Sequence, residues 1–120
     1  MSSFVEYLHE VFEPFGEINS RKMFGGHGIY HDGLTFALVA DDTLYLKADA
    51  ESKQIFEDKD LERFTFEMKG KVGSMNYYRA PEEIYDDPDE AHHWASLAFS
   101  AALRAAAKKK PKKAKKAKKK

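Results

Sequence analysis

Two dipeptides, Asp32-Gly33 and Asp41-Asp42, punctuate the stretch GIYHDGLTFALVADDTLYLK (28–47). A two-residue hairpin loop needs φ > 0 at both central residues, and Asp and Gly are among the few residues that tolerate it. Between the two dipeptides Leu34, Phe36 and Leu38 alternate with Thr35, Ala37 and Val39. After the second, Leu44 and Leu46 alternate with Tyr45 and Lys47. Period-two patterning bounded by such turns predicts antiparallel strands. Residues 18–24 and 27–31 read as two earlier strands. Downstream, Phe64, Phe66 and Met68 alternate with Thr65, Glu67 and Lys69. Lys69-Gly70-Lys71 then turns the chain, and 72–79 forms a last strand that Pro81 ends.

Helical signals bracket these strands. Ser3 and Glu6 have capping-box spacing, and Phe4, Val5, Leu8, Val11, Phe12 and Phe15 follow at helical spacing, ending near Pro14-Phe15-Gly16. Residues 49–59 predict a short helix with Ile55 and Phe56 as apolar contacts. Asp87-Pro88-Asp89-Glu90 places an N-cap, an N1 proline and first-turn acids at the head of a helix carrying Trp94, Leu97, Ala98, Ala101 and Leu103. The order α-β-β-β-β-α-β-β-α is that of an α+β domain: a mainly antiparallel sheet flanked by N- and C-terminal helices.

The last residues are of another kind. All 20 acids lie at or before Glu90, whereas 105–120 hold ten lysines and no acid. The first 104 residues carry ten Lys and Arg against 20 acids, a net of −10, and the terminus carries +10. The neutral total describes neither part. AAAKKKPKKAKKAKKK has only alanine as apolar content, so it is expected to be a disordered Lys-rich tail (105–120) beyond a single domain (1–104), with Pro111 breaking any continuation of the last helix. Lys108, Lys109, Lys110, Lys112, Lys113, Lys115, Lys116, Lys118, Lys119 and Lys120 are candidate phosphate contacts. If six to ten of them release counterions, affinity is sequence-independent and falls roughly 10³–10⁵-fold between 50 and 200 mM salt. Non-specific nucleic acid is the expected partner. No apolar anchoring face accompanies the lysines, so a membrane is not. Folding of the tail back onto the acidic body is the competing expectation.

Catalytic patterns are weak. Gly26-His27-Gly28 lacks the third glycine of a dinucleotide fingerprint and precedes a strand rather than a helix. The glycines are instead expected to permit a bend or close backbone approach. His27 and His31, four residues apart on a strand, stand roughly 13 Å apart, too far to share a metal, and no metal site or cofactor is expected. There is no cysteine, hence no disulfide, thiol nucleophile or zinc-thiolate centre. Tyr77, Tyr78 and Arg79 mix rings and charge as a base-stacking platform would. Against that stands cross-strand packing with the two tyrosines on opposite faces, which the acidity of the body favours. The absence of an N-terminal apolar run or of a long apolar stretch predicts a cytoplasmic protein.

RKMFGGHGIYHDGLTFALVADDTLYLKAD (21–49) and FTFEMKGKVGSMNYYRAPEEIYDDPDEAHHWASLA (64–98) resemble the TfoX N-terminal domain, found in regulators of competence for DNA uptake and in many short bacterial proteins. The resemblance spans roughly residues 4–104. Its motif residues are Arg21, Met23, Phe24, Gly25, Gly26, Gly28, Asp32 and Gly33. It implies terminal helices packed on an antiparallel sheet, similar to secretion-chaperone-like domains, with no catalytic residues and no cofactor. Long members of the family carry a second helical domain where this sequence has lysines, which implies a single-domain form. The expectation is a non-enzymatic TfoX-like regulatory or binding protein, DNA- or nucleoid-associated through its tail, with a protein partner or homodimer as a further expectation. Two alternatives are an adaptor with an acidic body and a regulatory tail, and a small-anion-binding enzyme built near Arg21, Lys22 and residues 25–28.

Overall fold

The computed structural model describes residues 3–23 and 26–118, with backbone only at 23, 68, 74 and 109–118. Helix α1 (Ser3–Val11) leads into β1 (Asn19–Met23), β2 (Gly26–His31), β3 (Leu34–Ala40) and β4 (Thr43–Lys47). Helix α2 (Lys53–Asp58), β5 (Arg63–Met68), β6 (Lys71–Arg79), a 3₁₀ turn (Glu82–Tyr85) and α3 (Pro88–Lys118) follow. The six strands form one antiparallel sheet in the order β1-β2-β3-β4-β6-β5.

Three of the hairpins are built as their turn residues dictate. Asp32 and Gly33 have φ of 50° and 80°, Asp41 and Asp42 have 52° and 53°, and Lys69 and Gly70 have 53° and 79°. Each pair closes a two-residue loop with φ > 0 at both positions, the geometry whose twist matches that of the flanking strands. The sheet is not a simple meander, however. β6 inserts between β4 and β5, pairing Leu46 with Tyr78 on one side and Phe66 with Gly73 on the other. Helix α2 and β5 carry the chain outward to the edge, and β6 returns it.

All three helices contribute to one core on one side of the sheet. Val5, Leu8 and Phe12 of α1, Phe56 of α2, and Ala91, Trp94, Ala95, Ala98 and Ala102 of α3 bury against Ile29, Phe36, Val39, Leu44, Leu46 and Tyr78. The alanines of α3 let its axis approach β3 and β4 closely, while Phe12 and Phe36 meet edge to face at 5.5 Å. Burying one such ring contributes about 1.5–3 kcal/mol. A register shift between Ile29 and Tyr30 lets the neighbours Phe36 and Ala37 both point into this core.

The helix ends differ from expectation in two places. Ser3 lies within α1 rather than ahead of it. Asp87 caps α3 as expected, its carboxylate accepting from the Asp89 N–H at 2.9 Å, but α3 continues to Lys118, through Pro111. Alanine and lysine are both good helix formers, and their local propensity carries the backbone past a proline whose missing N–H and ring clash cost about 3 kcal/mol. The body's packing ends earlier, at Ala102 and Arg104.

Candidate functional site

Four of the eight motif residues, Gly26, Gly28, Asp32 and Gly33, have architectural roles. Gly26 opens β2 where a Cβ would stand 2.0 Å from the Val39 carbonyl oxygen, so glycine there permits strand contact rather than phosphate contact. Gly28 is buried between Arg21 and Leu38 in register, and Asp32-Gly33 is the hairpin loop. Arg21 lies 5.6 Å above the Tyr30 ring. Phe24 and Gly25 lie outside the described residues, as does the side chain of Met23.

His31 is held as a wedge. Its ring sits 4.6 Å from Phe15 and 4.9 Å from Phe99, and its Nδ1 is 2.8 Å from the Glu17 carbonyl oxygen. A carbonyl only accepts, so Nδ1 carries the proton. The neighbouring Gly16, at φ 151°, leaves room for this ring: a Cβ there would fall 2.9 Å from His31 Cε1. Among the described residues no three His, Cys, Asp or Glu side chains gather to hold a metal.

Tyr77 and Tyr78 point to opposite faces of β6, as their alternation requires. Tyr78 enters the helical side, stacks on Phe56 at 5.2 Å and donates its hydroxyl proton to Glu57 Oε2 at 2.7 Å. Phe56 in turn meets Trp94, whose indole N–H donates to Glu90 at 3.0 Å. Tyr77 lies on the side that carries no helix. The Lys47 ammonium sits 5.2 Å from its ring, and burial, with a smaller contribution from Tyr30, pushes its phenol up to about 12. Tyr30 is on β2, three strands away in the sheet.

Register continues the same surface outward. Tyr45 pairs with Arg79, and its ring meets Phe64 at 4.8 Å. Phe64 stacks on Phe66 at 6.3 Å, and Phe66 lies over Gly73. The Tyr45 phenol is raised chiefly by burial and secondarily by Glu62, while Arg79 opposes the rise and Asp41 adds to it. The result is an aromatic ladder on the sheet face opposite the helical core, with guanidinium and ammonium groups beside it. Only Tyr77 and Arg79 of this set stood out in the sequence. The others share the surface because β6 lies between β4 and β5, which periodicity does not reveal.

The basic terminus leaves the body through a fixed joint. Arg104 donates to Asp49 through Nε at 2.6 Å and Nη2 at 3.0 Å, while the N–H groups of Glu51 and Ser52 donate to Asp49 Oδ1 at 3.1 Å. The Arg104 hydrogen bond is the main reason the Asp49 carboxyl is held down to about 2. Lys108 is exposed just beyond. The side chains of Lys109, Lys110, Lys112, Lys113, Lys115, Lys116 and Lys118, and the whole of Lys119 and Lys120, lie outside the described residues.

A cleft of about 240 Å³ opens between α1 and the 3₁₀ turn, lined by Phe4, Tyr7, Thr43, Arg79, Glu82 and Tyr85. A shallower acidic groove runs along His9, Glu10, Glu13 and Glu17. Neither is lined by Arg21, Lys22, Gly26 or Gly28, so neither coincides with the anion pocket of the enzyme alternative. No helix among the described residues is long and apolar enough to cross a membrane.

A family model of the TfoX N-terminal domain matches residues 10–102. The chain is 32% identical over 88 residues to the DNA transformation protein TfoX1 of Aliivibrio fischeri, covering 73% of this chain and 42% of that protein. It is 28% identical over 95 residues to the protein Sxy of Escherichia coli K12, covering 79% and 46% respectively. The chain thus aligns with less than half the length of either relative.

Proposed function

Because the chain belongs to the TfoX N-terminal domain family, we propose that it is a non-enzymatic, competence-regulator-like protein that associates with DNA or the nucleoid in the cytoplasm through its lysine-rich terminus. The observation that carries this reading is the charge partition. Ten lysines and no acid follow Arg104, on a chain whose first 104 residues are net −10. The Asp49–Arg104 joint supports it, since it gives the basic segment a defined point of departure from the body. The name of one relative, a DNA transformation protein, supports DNA as the polyanion.

The lysines act by counterion release, so binding is sequence-independent and steep in salt. The test compares full-length protein with a variant in which the ten lysines of 108–120 are replaced by glutamine, titrated onto duplex DNA across a salt series. The wild type should lose roughly 10³–10⁵-fold in affinity between 50 and 200 mM salt, and the variant should bind weakly with a shallow slope. Equal binding by the two forms would remove the tail from the mechanism. The adaptor alternative is favoured instead if a protein partner is retained on the acidic body after nuclease treatment and released by salt.

A further inference from the structure

The acidity of the body argues against nucleic acid on the sheet, but all but one of the acids lie off the strands. The six strands hold Arg21, Lys22, Lys47, Arg63, Lys71 and Arg79 against a single acid, Glu67. Six cations against one anion make the sheet +5. With the first 104 residues at −10, the helices, turns and connections of the body together carry −15. The alternation of β5 sends Glu67 to the face opposite Phe64 and Phe66, and it pairs with Val72. The strand positions of the open face therefore present Arg21, Lys47, Lys71 and Arg79 and no carboxylate, with Asp41 and Glu62 near Tyr45 at the rim.

We propose that this face binds single-stranded DNA, stacking bases on the Tyr45–Phe64–Phe66 ladder and on Tyr30 while Arg21, Lys47 and Arg79 meet the phosphates. Rings half-exposed on a sheet, interleaved with cations, are the elements that sequence-tolerant single-strand binders use. A duplex offers no free base face to such rings. A second copy of the chain fits less well, because a two-fold face-to-face pairing would set like cations against each other. The choice of a deoxy strand rests on the DNA reading above, but the stacking surface itself is independent of the tail.

The test uses full-length protein with its lysines intact. Affinity is measured for oligothymidylate, for its duplex with oligodeoxyadenylate, and for oligouridylate of the same length, at about 200 mM salt, where the tail contributes least. The wild type should prefer oligothymidylate. Tyr45→Leu and Phe66→Leu should each weaken that binding roughly 5- to 100-fold without changing duplex affinity, while the protein stays folded at the assay temperature. Arg21→Gln, at an exposed position on the edge strand, should reduce the salt slope on the single strand by about one. Ring variants that bind like wild type, or that weaken both ligands equally, overturn the proposal. So does a wild-type dimer, seen by light scattering, that the ring variants split, since that assigns the face to a second copy. Tighter, ring-dependent binding of oligouridylate overturns the assignment to DNA. Failure of the tail reading looks different: the glutamine-tail variant keeps steep duplex binding whatever the rings do.

Discussion

Tyr77 and Tyr78 are neighbours in the chain and share almost nothing in their surroundings. Tyr78 is locked among Phe56, Glu57 and the helices, with its ring stacked and its hydroxyl paired. Tyr77, also buried, lies under a lysine on the opposite face of the sheet from the helical core. The inner face is organised for stability: Phe12, Phe36, Phe56, Tyr78 and Trp94 are buried there, and among the described residues no buried side-chain polar atom lacks a partner. The outer face keeps Tyr45, Phe64 and Phe66 half-exposed and surrounds them with cations rather than with more core.

The sharpest test of this contrast is truncation on each side. Phe36→Ala, inside the core, should cost about 3–5 kcal/mol in urea unfolding, whereas Phe66→Leu on the open face should cost under about 1 kcal/mol. Comparable losses at the two sites would erase the distinction. Gly26→Ala, whose Cβ would collide with the Val39 carbonyl, should cost about 3 kcal/mol by prising β2 from β3, read as a lowered urea midpoint. A mild effect there would mean that the sheet can yield at the motif glycine.

Smaller effects sharpen the picture. Asp49 has a folded carboxyl near 2, below its unfolded value of about 3.9. It therefore contributes stability that is present above about pH 4 and lost as pH falls toward 2. Both partners of the joint are partly exposed, so Asp49→Asn should cost about 1 kcal/mol at neutral pH. The gap to wild type should close in acid, which unfolding curves across that range would reveal. Tyr78→Phe removes one hydrogen bond to a solvent-facing carboxylate and should cost about 1 kcal/mol or less by the same measurement.

Much of the fold was legible because it is local. Asp32-Gly33, Asp41-Asp42 and Lys69-Gly70 specify their loops by φ alone, and Asp87 caps α3 with its own side chain. The opposite facing of Tyr77 and Tyr78 followed from alternation, and the family was readable from the motif around the glycines. What was not legible depends on long-range pairing. The insertion of β6 between β4 and β5 puts Tyr45 beside Phe64, and the segregation of acids away from the strands becomes visible only once the strands are known. The expected stop of α3 at the lysines missed because a single proline was weighed against a run of strong helix formers.

That insertion has a kinetic consequence. The hairpins β2–β3, β3–β4 and β5–β6 each close over two residues, but Leu46 and the Tyr78 it meets are 32 positions apart in sequence. Loop closure of that length is an entropic toll that nearest-neighbour turns escape, so the β4–β6 seam is expected to zip last. Tyr45 belongs to the early half of the chain and Phe64 to the late half, and only the seam brings them together. A partly folded molecule would already possess its core-facing hairpins yet have no ladder, so the open face comes into being only on completion of the fold.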